Sequence, residues 1–264
     1  MSGPRFARRS RPALGTLVEL GIGIPEEVPE AEAPRWIEAA LAPAWAALAA
    51  GERALSAFEA GSDVGRFNAA PAGAALPVAR STARVLRAAA RLWAETGGSF
   101  DVTLGTGPGA WALEGSAAAP RLRKRTASVR LDLGGIAKGH LVDRAFAALA
   151  ARAGRGGACW VNAGGDLRVR GVSLPVHLRD ERGGGARPWL ALHAGALATS
   201  RFGPGARSRL AGPGASGERH VSVASPRCLW SDALTKVVAI TGRVDHPALA
   251  RRRAAAWLHR AEEG

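Results

Sequence analysis

The stretch Arg130-Leu-Asp-Leu-Gly-Gly-Ile-Ala-Lys-Gly139 decides how this chain is read. Residues 128–133 read as a strand that ends at the carboxylate of Asp132. A Gly-Gly pair follows, then Lys138 in the first turn of a helix expected over 136–153. Glycines let the backbone approach a ligand closely. A helix N-terminus presents unpaired N–H groups and a partial positive charge, which suits phosphate. Lys138 adds a formal charge at that end. The spacing is neither G-x-G-x-x-G nor a P-loop. The same residues also read as a tight strand-to-helix turn with a salt-bridged lysine, and by themselves they leave both readings open.

Working outward, residues 16–24 (TLVELGIGI) alternate and are rich in β-formers, so a strand is expected. Apolar residues recur at helical spacing over 31–58, with a break expected near Pro43. Residues 81–96 read as a helix with Val85, Ala88, Ala89 and Leu92 on one face, stopped by Gly97-Gly98. Residues 158–171 read as a hairpin with Gly164-Gly165-Asp166 at its turn. Strands are expected over 188–199 and 220–224, a short helix or strand over 231–240, and a terminal helix over 245–263 with Asp245 as its N-cap. Two Gly/Pro-rich stretches, 183–188 and 203–217, read as loops. Strands and helices mix without strict βαβ alternation, which predicts a single α+β domain. Its expected span is 12–264, preceded by a basic tail over 1–11.

The 264 residues are 47% hydrophobic and 22% charged, a globular composition that excludes wholesale disorder. No stretch resembles a membrane span, and the basic N-terminus leads into no apolar signal core, so a cytoplasmic location is expected. The net charge of +14 by itself favours an acidic partner. However, 33 of the 36 basic residues are Arg, Tyr is absent and Ala abundant, the signature of a GC-rich genome. The basic clusters also lack interleaved aromatics for base stacking, so nucleic acid is not expected as a partner. Cys159 and Cys228 are too few for a zinc knuckle or disulfide framework and read as reduced thiols. The histidines have no ligand spacing.

Three further segments bear on chemistry. Thr96-Gly-Gly-Ser-Phe-Asp-Val-Thr-Leu-Gly105 gathers an aromatic, an acid and hydroxyls after a helix. A flat ring fits against Phe100 while Asp101 accepts a hydroxyl; Asp101 equally suits a local turn cap. Trp160-Val-Asn-Ala-Gly-Gly-Asp166 reads first as a hairpin turn in which Asn162 and Asp166 bond their own backbone. Ser231-Asp-Ala-Leu-Thr-Lys236 supplies oxygen donors, Asp232 and Thr235, of the kind Mg²⁺ selects. It reads equally as an N-cap with an i,i+4 Asp232–Lys236 pair.

The order of these segments is more specific than any one of them. Leu14-Gly-Thr comes first, then Leu55-Ser-Ala-Phe-Glu with Ser62 and Arg66-Phe-Asn68, then Gly98-Ser-Phe-Asp-Val-Thr103. Asp132-Leu-Gly-Gly-Ile-Ala-Lys-Gly139 with Asp143, Asn162-Ala-Gly-Gly-Asp166, Ala198-Thr-Ser200 and Ser231-Asp-Ala-Leu-Thr235 follow. Over about residues 12–242 the series resembles the ApbE family, the FAD:protein FMN transferases. The resemblance implies a T-fold-like α+β core with a mixed antiparallel sheet packed by helices. It implies FAD as substrate, Mg²⁺ as metal, and transfer of FMN to a threonine of an acceptor flavoprotein with release of AMP.

Position by position, the resemblance implies that Leu14 touches the flavin side and that Phe58 packs on a ring. Ser99, Phe100 and Asp101 form a FAD-contacting strip, Asp132 and Lys138 contact FAD in the phosphate-facing loop, and Ala211 contacts FAD further on. It implies a metal held by the Gly135 carbonyl and Asp232, and Thr235 is taken as the third metal residue. Asp232 and Lys138 are thereby the expected catalytic residues.

Three departures stand out. The family pattern has Asp followed four residues later by a ligating Thr; here position 236 is Lys and the Thr is one residue early. The family's His-x-x-Asp-Pro-x-x-Gly segment corresponds to Arg209-Leu-Ala-Gly-Pro-Gly-Ala-Ser216, which lacks the His; His220 is the nearest substitute proton acceptor. Phe58 stands where a Tyr is usual. These departures sustain alternatives: a FAD-binding protein with little transferase activity, or a FAD pyrophosphatase.

Overall fold

The computed structural model describes residues 4–179, 185–206, 208–210 and 217–259. In chain order the elements are β1 (Arg5–Ala13), β2 (Thr16–Ile24), α1 (Ala33–Leu55), α2 (Asp63–Ala69), β3 (Ala75–Pro77), α3 (Arg80–Glu95), β4 (Trp111–Gly115) and β5 (Pro120–Lys124). Then come α4 (Ala137–Ala153), β6 (Cys159–Ala163), β7 (Asp166–Arg170), β8 (Leu174–Arg179), β9 (Ala186–Leu192), β10 (Gly195–Phe202), β11 (Arg219–Ser225), α5 (Cys228–Thr241), α6 (Pro247–Ala250) and β12 (Ala255–His259). Seven strands form an antiparallel sheet in the order β1-β2-β6-β7-β10-β11-β12. A three-stranded sheet, β3-β5-β4, and the β8–β9 pair complete the α+β architecture.

The core lies between the large sheet and the helices α1, α4 and α5. Val18, Leu20 and Ile22 alternate inward along β2, and Leu41, Ala44 and Leu48 face them from α1. Strand periodicity of two and helix periodicity of three to four thus meet in one apolar layer. α1 runs unbroken through Pro43, contrary to the expected break. Proline in a helix interior costs about 3 kcal/mol; burial of Ala40, Leu41, Ala44 and Leu48 on both sides of it offsets that cost.

Four other expectations change. Residues 5–11, expected as a basic tail, belong to β1, which pairs with β2 over its whole length. Residues 128–133 form no strand. The expected strand over 188–199 is two strands, β9 and β10. The terminal helix stops after the single turn of α6, which His246 caps by accepting the Ala248 N–H at 3.1 Å; Asp245 pairs with Arg243 instead. Arg252 then pairs with Glu95 at 2.5 Å and lies over the Trp230 ring, and the chain turns into β12 against the free side of β11. An open ladder edge and a pinned arginine outweigh the local helical preference.

Candidate active site

The loop before α4 is held by groups outside itself. Asn68 at the end of α2 donates from Nδ2 to the Leu131 carbonyl at 2.9 Å and accepts the Leu131 N–H on Oδ1 at 2.7 Å. The Asp132 N–H donates to the Val102 carbonyl at 2.8 Å, and the Arg130 N–H to Thr106 Oγ1 at 3.0 Å. Backbone groups that a strand would give to a ladder are satisfied here by side chains and by one loop carbonyl, so the segment joins no sheet. Asp132 Oδ1 then accepts the Gly134 N–H at 2.8 Å, an Asx turn that starts α4.

α4 and α5 touch backbone to backbone at Gly139. A Cβ at that position would lie 2.3 Å from the Cys228 carbonyl oxygen and 2.7 Å from Asp232 Cβ. The Gly139 N–H donates to Asp232 Oδ2 at 3.0 Å. One turn on, Asp143 accepts the Cys228 and Leu229 N–H groups at 2.9 and 3.1 Å and pairs with Arg168 at 2.5 Å. Each helix therefore offers a carboxylate to the opening turn of the other. Carboxylates there satisfy orphan donors and complement the positive end of the helix.

Two buried acids and two lysines lie at this crossing. Lys138 Nζ is 3.5 Å from Asp166 Oδ2, and Asp166 is fully buried. Neither Asp166 oxygen has a hydrogen-bond partner among the described residues, so the contact is an ion pair without hydrogen-bond geometry. Burial, reinforced by the Asp232 charge, raises the Asp166 carboxyl to about 7, against the opposing pull of Lys138 and Lys236. Burial alone would lower Lys138, but Asp166 and Asp232 overcome it and raise its pKa. Lys236 Nζ pairs with Asp232 Oδ1, reaches the Asp232 carbonyl at 3.1 Å and Ser200 Oγ on β10 at 3.4 Å. Its stem packs on the glycine corner: a Cβ at Gly135 would lie 3.2 Å from Lys236 Cε.

The model for the ApbE family matches residues 14–203 of the 264. This chain belongs to the ApbE family. Solved structures of similar fold carry related names. The apo flavinyl transferase ApbE of Pseudomonas stutzeri superposes with a TM-score of 0.76 at 21% identity, covering 99% of this chain and 93% of that one. The flavin transferase ApbE of Vibrio cholerae gives 0.75 at 18% identity, covering 97% and 94%. The ApbE protein of Thermotoga maritima gives 0.74 at 19%, covering 98% and 97%. No curated protein matches the chain.

Within this ApbE fold, Gly135, Lys138 and Asp232 share one corner. Asp132 sits at its rim, with Arg209 Nη1 3.7 Å from Oδ2. Leu14 occupies the β1–β2 turn at φ 54° and donates its N–H to Glu52 Oε1 at 3.1 Å. That turn adjoins the Gly164-Gly165 turn, since a Cβ at Gly164 would strike Thr16. Phe58 is apart on a loop and 91% exposed. Phe100 is buried in the core, so its ring is not the open platform expected. Ser99 is half-buried beside it. Asp101 caps its own loop, accepting from the Thr103 N–H at 2.8 Å, Thr103 Oγ1 at 2.7 Å and the Gly105 N–H at 3.0 Å. Ala211 lies outside the described residues. His220 projects from β11 with Ser222, on the face of the sheet away from Ser200 and α5, and packs 5.0 Å from the His259 ring. From there it does not face the Asp232 corner.

Three residues of the site carried no assigned role in the sequence reading. Asp166, expected to bond its own backbone at the turn, points its carboxylate inward to Lys138; hairpin register at an aspartate directly after Gly-Gly does not reveal that. Asn68 and Asp143, which the sequence marks only by their place in the motifs, fix the loop and the second helix. The only local signal was an amide and an acid amid apolar helical residues. Both cysteines are buried, and burial first of all pushes their thiols up, as inert structural thiols require.

The donor set does not fit a divalent cation. Asp232 has one oxygen on the Gly139 N–H and the other on the Lys236 ammonium. Thr235 Oγ1 donates to the Asp232 carbonyl at 2.7 Å and bonds Ser200 Oγ on β10 at 3.1 Å. Among the described residues no group of three or more His, Cys, Asp or Glu is placed to hold a metal.

Proposed function

We propose that this chain is a flavin transferase that takes FAD, passes FMN to a threonine hydroxyl of an acceptor flavoprotein and releases AMP. The observation that carries the reading is the convergence of the α4 N-terminus, Lys138 and Lys236 on one glycine-lined corner beside Asp232. Such a corner suits the diphosphate of FAD. Two ammonium groups and the positive end of the helix neutralise charge that grows on the leaving AMP oxygen.

In the reaction the threonine oxygen bonds to the FMN phosphorus, the bond from that phosphorus to the AMP oxygen breaks, and the hydroxyl proton is released. Little covalent chemistry falls to the protein. It has to hold the dinucleotide bent and bring the hydroxyl in line. Arg209, next to Asp132 at the rim, adds a third positive group on the open side. Arginine is no base at neutral pH, so it holds phosphate and takes no proton. A cavity of about 370 Å³ between α3 and β4, lined by Arg87, Trp93, Asp101, Val102, Trp111 and Leu113, suits one ring of the dinucleotide. It adjoins the corner through Val102, whose carbonyl holds the Asp132 N–H. Lys236 holds the carboxylate that a magnesium ion would need.

The test incubates the purified protein with FAD and a flavoprotein bearing the acceptor threonine, with and without Mg²⁺. Fluorescent flavin on the acceptor in a denaturing gel is the expected result. AMP and free FMN without labelled acceptor mean a pyrophosphatase. Bound, intact FAD without either product means a binding protein.

A further inference from the structure

We infer that Lys236 supplies the cation of this site, so that the chain binds its flavin dinucleotide without a divalent metal. The inference rests on the reading that FAD places its diphosphate at the Gly135–Gly139 corner. Asp232 sits at the end of that corner and is 1% exposed, so its charge needs a partner within the fold. A bound ion is one solution. This chain has another: the side chain four residues on folds back along the same helix and sets its ammonium on Oδ1.

Three observations give Lys236 more than a filler's role. Its nitrogen is surrounded by oxygen: Asp232 Oδ1, the Asp232 carbonyl and Ser200 Oγ. That is an oxygen cage for a small cation. Its stem lies on Gly135, where a methyl group would already crowd Cε at 3.2 Å, so the charge is delivered to the glycine corner. Finally, the residue is lysine in a chain that uses arginine for 33 of its 36 basic positions. A compact ammonium resembles a metal ion as a point charge, and a planar guanidinium does not. The weakest of its bonds, 3.4 Å to Ser200, is the one a phosphate oxygen would replace.

FAD is titrated calorimetrically into wild type, Lys236→Thr and Lys236→Met, each in chelator and in excess Mg²⁺. Mn²⁺ binding without FAD is followed in parallel by paramagnetic resonance. Wild type is expected to bind FAD equally in both buffers and to retain no Mn²⁺ at this site. Lys236→Thr is expected to lose on the order of tenfold or more in affinity in chelator, the loss of a charge-assisted contact. It should recover with Mg²⁺ and acquire bound Mn²⁺, whereas Lys236→Met should lose affinity and not recover. A wild-type affinity that depends on Mg²⁺, or a Lys236→Thr affinity unchanged in chelator, overturns the inference and leaves the flavin reading standing. Wild type that binds no FAD in either buffer overturns both. Should the variants fail to fold, the two wild-type titrations decide.

Discussion

Asn68 serves both backbone groups of Leu131, accepting its N–H at 2.7 Å and donating to its carbonyl at 2.9 Å across 63 positions of sequence. All of these groups are buried. Replacing Asn68 by Ala strands a donor and an acceptor next to the Asp132 loop. Each stranded group costs about 1–3 kcal/mol. Asn68→Ala is expected to lose about 2–5 kcal/mol in urea unfolding and to bind FAD more weakly, because the corner loses its anchor.

Gly139→Ala tests the helix crossing. The added methyl group meets the Cys228 carbonyl at 2.3 Å, and neither backbone yields easily. Overpacking of this kind costs about 1–3 kcal/mol. The expected result is a lower melting temperature together with weaker FAD binding, since α5 carries both Asp232 and Lys236. A melting temperature equal to wild type would contradict the close approach.

The buried ring of His140 contributes a loss of stability in mild acid. Neither ring nitrogen has a hydrogen-bond partner among the described residues. Burial, then the nearby Arg144, Arg84 and Arg227, push its pKa from 6.5 down to about 4. Between those values the unfolded chain binds a proton that the folded chain refuses. Stability present above the upper value is therefore lost as pH falls through the window, at up to about 1.4 kcal/mol per pH unit. His259, also pushed down to about 4, has the same sign. Asp166, raised to about 7, has the opposite sign over the same range, so the test is a difference: between about pH 7 and pH 5 the urea midpoint of wild type should lose ground against that of His140→Leu.

Phe58 should matter to the ligand and not to the fold. Its ring is 91% exposed. Phe58→Ala is expected to change stability by less than about 0.5 kcal/mol, yet to weaken FAD binding by about 1 kcal/mol, the worth of a ring contact. Phe58→Tyr should keep wild-type affinity. Full FAD affinity in Phe58→Ala would remove the ring from the site.

What sequence could reveal here followed its periodicities. β2, α3 and the β6–β7 hairpin were legible because alternation, an apolar helix face and a Gly-Gly turn each specify local geometry. The corner made by Gly135, Lys138 and Asp232 was legible from the order of motifs. The strand expected over 128–133 failed because a side chain from α2 replaced its ladder, and no local pattern announces a partner so remote in sequence. The terminal helix failed for the same class of reason: Arg252 found Glu95 and Trp230, and β12 found an open edge. The burial of Phe100 and the loop cap made by Asp101 are set by tertiary packing and by a local turn, which composition alone does not show.

The outermost position of β1 bears on how the molecule meets its own copies. A strand at the rim of a sheet exposes unpaired amides and carbonyls that invite a second chain to zip on. Arg8, Arg9 and Arg11 are exposed along this rim, two of them tethered to Glu38. Two such rims repel one another before their backbones can align. Part of the surplus positive charge thus acts as a guard against self-association, and to that extent it asks for no acidic partner at all.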